Sequence, residues 1–112
     1  MANPEIELAA LRSQCEIQIL ESVQRHRGVQ SHSWHEQKVR VSSIQDVEGG
    51  WVVQAQFIEN LDRCSQYDQS STWEGEIVFR AGEDGGVTLS GTLVATHVGE
   101  SSDGYVGEEL RL

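Results

Sequence analysis

The sequence predicts an α+β domain, with one long N-terminal helix packed on a curved antiparallel sheet of four to five strands. Three observations carry this expectation. Apolar residues recur every three or four positions over the first quarter of the chain, they alternate with polar residues over most of the rest, and glycine-rich turns separate the alternating runs. The chain has 112 residues, 38% of them hydrophobic and a single one proline. That is enough for one core, so one domain over 1–112 is expected and a two-lobed enzyme with an interdomain cleft is excluded.

The helix is assigned to 1–28. Asn3 suits the N-cap, Pro4 suits the first helical position, where its missing N–H is not needed, and Glu5 and Glu7 complement the positive end of the helix dipole. Leu8, Leu11, Cys15, Ile19 and Val23 form one apolar stripe flanked by Leu20, with Glu16, Gln18 and Gln24 on other faces. Arg25, His26 and Arg27 place positive charge on the last turn, and Gly28 can stop the helix in a left-handed conformation. At about 1.5 Å per residue such a helix is long enough to cross a sheet of ordinary strands.

The sheet is assigned to 36–98. Val39 and Val41 alternate with Lys38, Arg40 and Ser42, while Trp51, Val53, Ala55 and Phe57 alternate with Val52, Gln54, Gln56 and Ile58. Glu48, Gly49 and Gly50 close the first hairpin, which is expected to set Val47 near Trp51 and Val41 near Phe57. After a loop from Glu59 to Ser71, Trp73, Ile77 and Phe79 alternate with Glu74, Glu76 and Arg80. Gly82 to Gly86 turns the chain, and Val87, Leu89, Leu93 and Ala95 follow with the same period. Pairing Phe79 with Val87 sets Ile77 opposite Leu89, Gly75 opposite Gly91 and Trp73 opposite Leu93, with every apolar pair on one face. The remaining 99–112 reads as a tail or a short fifth strand at Tyr105 to Leu110.

In element order this pattern resembles the cystatin-like and nuclear-transport-factor-like α+β superfamilies, in which a curved sheet wraps one helix. The cystatin Gln-x-Val-x-Gly signature is absent, the nearest stretch being Val52, Val53, Gln54, Ala55, Gln56. The additional helices of the transport-factor group are absent too. The resemblance therefore implies a fold and no activity.

Composition narrows the function classes. Eighteen acidic against eight basic residues give a formal charge of −10, which repels phosphate backbones and anionic lipid, so neither nucleic acid nor membrane is expected as a partner. Two cysteines, Cys15 and Cys64, are too few for a disulfide scaffold or a cysteine-rich zinc site. Met1 to Arg12 has no basic start and no unbroken apolar run, so no signal or transit peptide and a cytoplasmic location are expected.

Several features have two readings. Gly75 and Gly91 on the buried face either let helix and sheet approach closely, with Cys15 above them, or floor a ligand pocket walled by Trp51, Phe57 and Trp73 and bordered by His97. The outward face carries Val52, Ile58, Val78, Val94 and Val98 among Gln54, Gln56, Glu74 and Glu76. Those aliphatics either serve strand propensity or form a docking surface, with Val52, Gln54, Gln56, Val78 and Val94 as the candidate interface. His32 and His35 are either solvated loop residues or part of a zinc site that lacks a third ligand nearby; no metal is expected. Cys64 beside Asp62 and Arg63, and His97 with Tyr67 or Asp103, have no diagnostic catalytic spacing. The acidic hairpin of Gly82, Glu83, Asp84, Gly85 and Gly86 would repel phosphate rather than cradle it.

The sequence is accordingly expected to encode a small acidic, non-enzymatic domain that binds a protein partner or assists assembly through its sheet face, as a homodimer and without cofactors. The alternative is small-molecule binding or catalysis in a pocket between helix and sheet.

Overall fold

A computed structural model describes residues 4–27, 36–60, 70–99 and 105–112. Helix α1 spans Pro4–Arg27, followed by strands β1 (Glu36–Val47), β2 (Gly50–Asn60), β3 (Ser70–Ala81), β4 (Val87–His97) and β5 (Glu109–Arg111). The strands form one antiparallel sheet in the order β1-β2-β3-β4-β5, and the helix packs on one face of it. The α+β expectation is met with five strands. Asn3, Gly28, His32, Trp34, His35, Asp62, Arg63, Cys64, Tyr67 and Asp103 lie outside the described residues.

The period-3.6 stripe and the period-2 strands meet in the core. Cys15, Ile19 and Val23 of α1 are buried with Val41, Val53, Ala55, Phe57, Trp73, Ile77, Phe79, Leu93, Ala95 and Leu110, and Leu11 and Leu20 pack half-buried against them. Leu8, expected on the stripe, is 46% exposed. Burying an aliphatic side chain is worth about 1.5–3 kcal/mol, so this layer of contacts is a large part of what joins helix to sheet.

Both hairpins depart from the expected partners. In the first, Val47 lies opposite Gly50 and Asp46 opposite Trp51, while Val41 lies opposite Ala55 and Val39 opposite Phe57. The cause is a β-bulge between Val41 and Ser43. One extra residue reverses the alternation beyond it, so Ile44 turns to the core and Val47 is left 40% exposed. The turn itself is Glu48 and Gly49, with Gly49 at φ +79°.

In the second hairpin Ala81 pairs with Val87, Phe79 with Leu89, Ile77 with Gly91, Gly75 with Leu93 and Trp73 with Ala95. The two glycines are therefore not opposite one another. A compact loop produces this register: Gly82 N–H donates to Gly86 O at 2.7 Å, Gly85 N–H to Gly82 O at 3.2 Å and Gly86 N–H to Asp84 Oδ1 at 2.9 Å. The strands zip two residues further towards the turn than expected. A shift of two keeps each side chain on its face and changes only its partner. Large side chains now stand beside small ones, Trp73 by Ala95, Leu93 by Gly75 and Ile77 by Gly91, which suits close packing.

The fifth strand is shorter and later than expected. Tyr105 and Val106 are exposed, whereas Leu110 is buried opposite Leu93. Gly107 N–H donates to Ala95 O and Ala95 N–H to Glu108 O, both at 2.8 Å, and Leu112 N–H donates to Gly91 O at 2.9 Å. These bonds and the β5 pairing cover the edge of β4 from Gly91 to Ala95.

Candidate functional site

The helix covers one face of the sheet only, so the other face is bare among the described residues. Even-numbered positions of β2, β3 and β4 point there, because their odd-numbered neighbours fill the core. Val52 stands opposite Val78, and Val78 opposite Ser90; both valines and Ile58 are half-buried, and Val94 is 36% exposed. Between the Val52–Val78 pair and Ile58 runs a polar ladder in which Gln54 Nε2 donates to Glu76 Oε2 at 3.0 Å and Gln56 Nε2 to Glu74 Oε1 at 2.9 Å. Arg40, Ser42, Gln54, Gln56 and Glu74 line a depression of about 380 Å³ over the backbone of Ala55 and Gly75. The five sequence-predicted interface residues, Val52, Gln54, Gln56, Val78 and Val94, thus share one surface.

The open ends of the sheet are guarded differently. On β1 the N–H of Val41 donates to Glu16 Oε2 of the helix at 2.8 Å, and the bulge at Ser42 interrupts the edge. Both devices discourage another strand from adding there. On β4, β5 pairs only with Thr92, Leu93 and Val94.

Beneath the helix the residues expected to wall a pocket are core residues. Phe57 and Trp73 are 0% and 1% exposed with ring centroids 5.3 Å apart, and half-buried Trp51 stacks on Phe79 at 5.5 Å and 10°. A Cβ on Gly75 would collide with the carbonyl oxygen of Thr92, and one on Gly91 with that of Glu76. The missing side chains are thus matched by close approach of the neighbouring strand. His97 is exposed at the end of β4, opposite Thr72. A groove of about 560 Å³ does lie between helix and sheet, further along, between Gln18, Glu21, Ser22, Arg25 and His26 of α1 and Val87, Thr88, Leu89 and Leu112. None of Trp51, Phe57, Trp73, Gly75, Gly91 and His97 lines it.

The sequence reading also passed over a polar end to the core. Glu59 and Ser71, assigned to a loop, are paired in the β2–β3 ladder and are 4% and 2% exposed. Gln37 Nε2 donates to Glu59 Oε2 at 2.9 Å, Gln24 Nε2 to Gln37 Oε1 at 3.2 Å, and Gly99 N–H to Ser71 Oγ at 3.0 Å. The signal was available: Glu59 and Ser71 continue the odd-numbered alternation of Phe57 and Trp73. The buried thiol of Cys15 accepts a hydrogen bond from Trp51 Nε1 at 3.1 Å. Burial pushes its pKa above the ordinary value, the indole hydrogen bond opposes the rise, and the Glu16 carboxylate adds to it.

No three His, Cys, Asp or Glu side chains cluster to hold a metal ion among the described residues. No described helix is long and apolar enough to cross a membrane. No family model, curated protein or solved structure matches this chain.

Proposed function

We propose that the protein is a non-enzymatic docking domain that meets a protein partner with the bare face of its sheet. The observation that supports this most is a face that no described element covers, carrying Val52, Ile58, Val78 and Val94 on either side of the Gln54–Glu76 and Gln56–Glu74 pairs. Its size suits the role. Strands of eleven or twelve residues at about 3.4 Å per residue, four abreast at about 4.8 Å, present roughly 700 Å², close to the ~800 Å² that one partner contributes to a standard interface. The Gln–Glu ladder offers hydrogen-bonding groups, and its two carboxylates call for cations from the partner. Val78→Arg and Val94→Arg test the reading, with melting curves to show that the fold persists. Proteins bound stoichiometrically by the wild type should be lost from both variants, and retention by both would contradict the reading.

A second reading, small-molecule binding between helix and sheet, draws support from the groove at Ser22, Arg25, His26, Leu89 and Leu112, whose volume lies within the range of ligand sites. Leu89→Trp would fill it. Loss of a bound metabolite from that variant, with Val78→Arg unaffected, would favour this reading over docking.

A further inference from the structure

We infer that the partner for the bare sheet face is a second copy of this chain, joined about a two-fold axis so that Arg40 of each copy faces Glu74 of the other. The inference rests on the docking reading above and names its occupant. Arg40 pairs with Gln56 and Gln56 with Glu74, so the three lie on one line across the sheet with β2 in the middle. Lys38 and Arg40 make β1 a line of positive charge on this face, and Glu74 and Glu76 make β3 a negative line. Between them β2 presents neutral Val52, Gln54, Gln56 and Ile58. Arg40 is exposed and has no ion-pair partner among the described residues.

A rotation of 180° about an axis along β2, in the plane between two stacked sheets, exchanges β1 with β3 at constant height. Arg40 then stands over Glu74 twice, at the ~10 Å spacing of packed sheets, which the two long side chains can span together. The same rotation sets each β2 residue over its own counterpart, so Val52 meets Val52 and the amides of Gln54 and Gln56 meet groups that can both donate and accept. It brings no like charges into register.

The charge balance favours a copy over an unrelated partner. The chain carries only eight Lys and Arg residues against eighteen acids, yet on the long strands of this face three bases, Lys38, Arg40 and Arg80, match three acids, Glu36, Glu74 and Glu76. Two molecules of net charge −10 repel across most of their surfaces. Here the local charge nearly cancels and is self-complementary, which steers association to this face. The β1 edge, blocked by Glu16 and the bulge, offers no comparable site.

Sedimentation equilibrium of the full chain over a wide concentration range is the test, with Arg40→Glu, Glu74→Arg and the double reversal compared at low and moderate salt. The wild type should dimerise, each single reversal should weaken the dimer about tenfold or more, and the double reversal should restore most of the loss. A wild type that stays monomeric, or a dimer indifferent to both reversals, overturns the inference. The docking reading fails separately. A monomer that loses a defined partner on Val78→Arg leaves that reading standing, whereas a dimer indifferent to Arg40→Glu, Glu74→Arg and Val78→Arg, with no partner lost, removes both.

Discussion

The indole N–H of Trp51 donates to Cys15 Sγ at 3.1 Å, tying the middle of the helix to the start of β2. Trp51 in turn stacks on Phe79, so one contact orders three elements. Cys15→Ala removes the acceptor and leaves a small void, and should cost about 1–3 kcal/mol in urea unfolding. Cys15→Ser keeps a small acceptor and should cost less than Cys15→Ala. In a Cys64→Ser background the single remaining thiol should react with a disulfide reagent only as fast as the protein opens, since Cys15 is 1% exposed.

The same thiol gives stability a defined dependence on alkaline pH. Burial first, and the Glu16 carboxylate after it, hold its pKa above the ordinary value of 9.0, with the Trp51 hydrogen bond opposing. Below that value the folded and unfolded chains both keep the proton, and the group contributes no slope. Above it the unfolded chain releases a proton that the folded chain retains, so stability falls as pH rises until the folded pKa is passed. Urea midpoints measured from neutral to strongly alkaline pH should fall more steeply for the wild type than for Cys15→Ala. Parallel curves would contradict this assignment.

Three glycines should differ in what a methyl group costs them. Gly49 has φ +79° but open space around its missing Cβ, so Gly49→Ala should lose only the left-handed backbone penalty of roughly 1–2 kcal/mol. At Gly75 the Cβ would meet the backbone of Thr92 and Leu93, which no rotamer change can relieve. Gly91 combines φ +150° with a Cβ position that would collide with Glu76 O and lie 2.9 Å from Ile77 Cδ1. Gly75→Ala and Gly91→Ala should each lose more than Gly49→Ala, about 2 kcal/mol or above. Equal melting temperatures for the three variants would mean that the strands lie further apart than described.

The bond from Val41 N–H to Glu16 shields the β1 edge and pins helix to strand. Glu16→Ala should cost about 1–2 kcal/mol and accelerate hydrogen exchange at the Val41 amide, because a charge-assisted bond to an otherwise unpaired edge group is lost. Glu16→Gln, which keeps an acceptor, should recover part of the protection. Exchange at Val41 unaltered in Glu16→Ala would place its acceptor elsewhere.

Periodicity made the fold legible and left the register open. Leu11, Cys15, Ile19 and Val23 announce the helix, and Trp73, Ile77, Leu93 and Ala95 announce the face they join. Face assignment needs only parity, and parity survives a shift of two residues. The partners of Gly75 and Gly91 depended instead on hydrogen bonds inside Gly82–Gly86, where Asp84 closes the loop, and alternation carries no trace of that closure. The bulge at Ser42 was equally hidden, since Ser42 and Ser43 read as ordinary polar positions, and it turned Ile44 to the core while leaving Val47, expected near Trp51, exposed. Among the site residues, Val52, Gln54, Gln56, Val78 and Val94 follow from alternation alone. The groove beside Ser22 and Leu89 does not, because it depends on where the helix lies across the sheet.

The docking face is tested most directly by paramagnetic broadening of valine methyl signals with a small soluble probe, on the protein at high dilution and then with its partner bound. The account predicts that Val52, Val78 and Val94 are broadened in the free protein and protected in the complex, while Val87 beside the groove stays broadened in both. Protection at Val87 with Val52, Val78 and Val94 unchanged would contradict it.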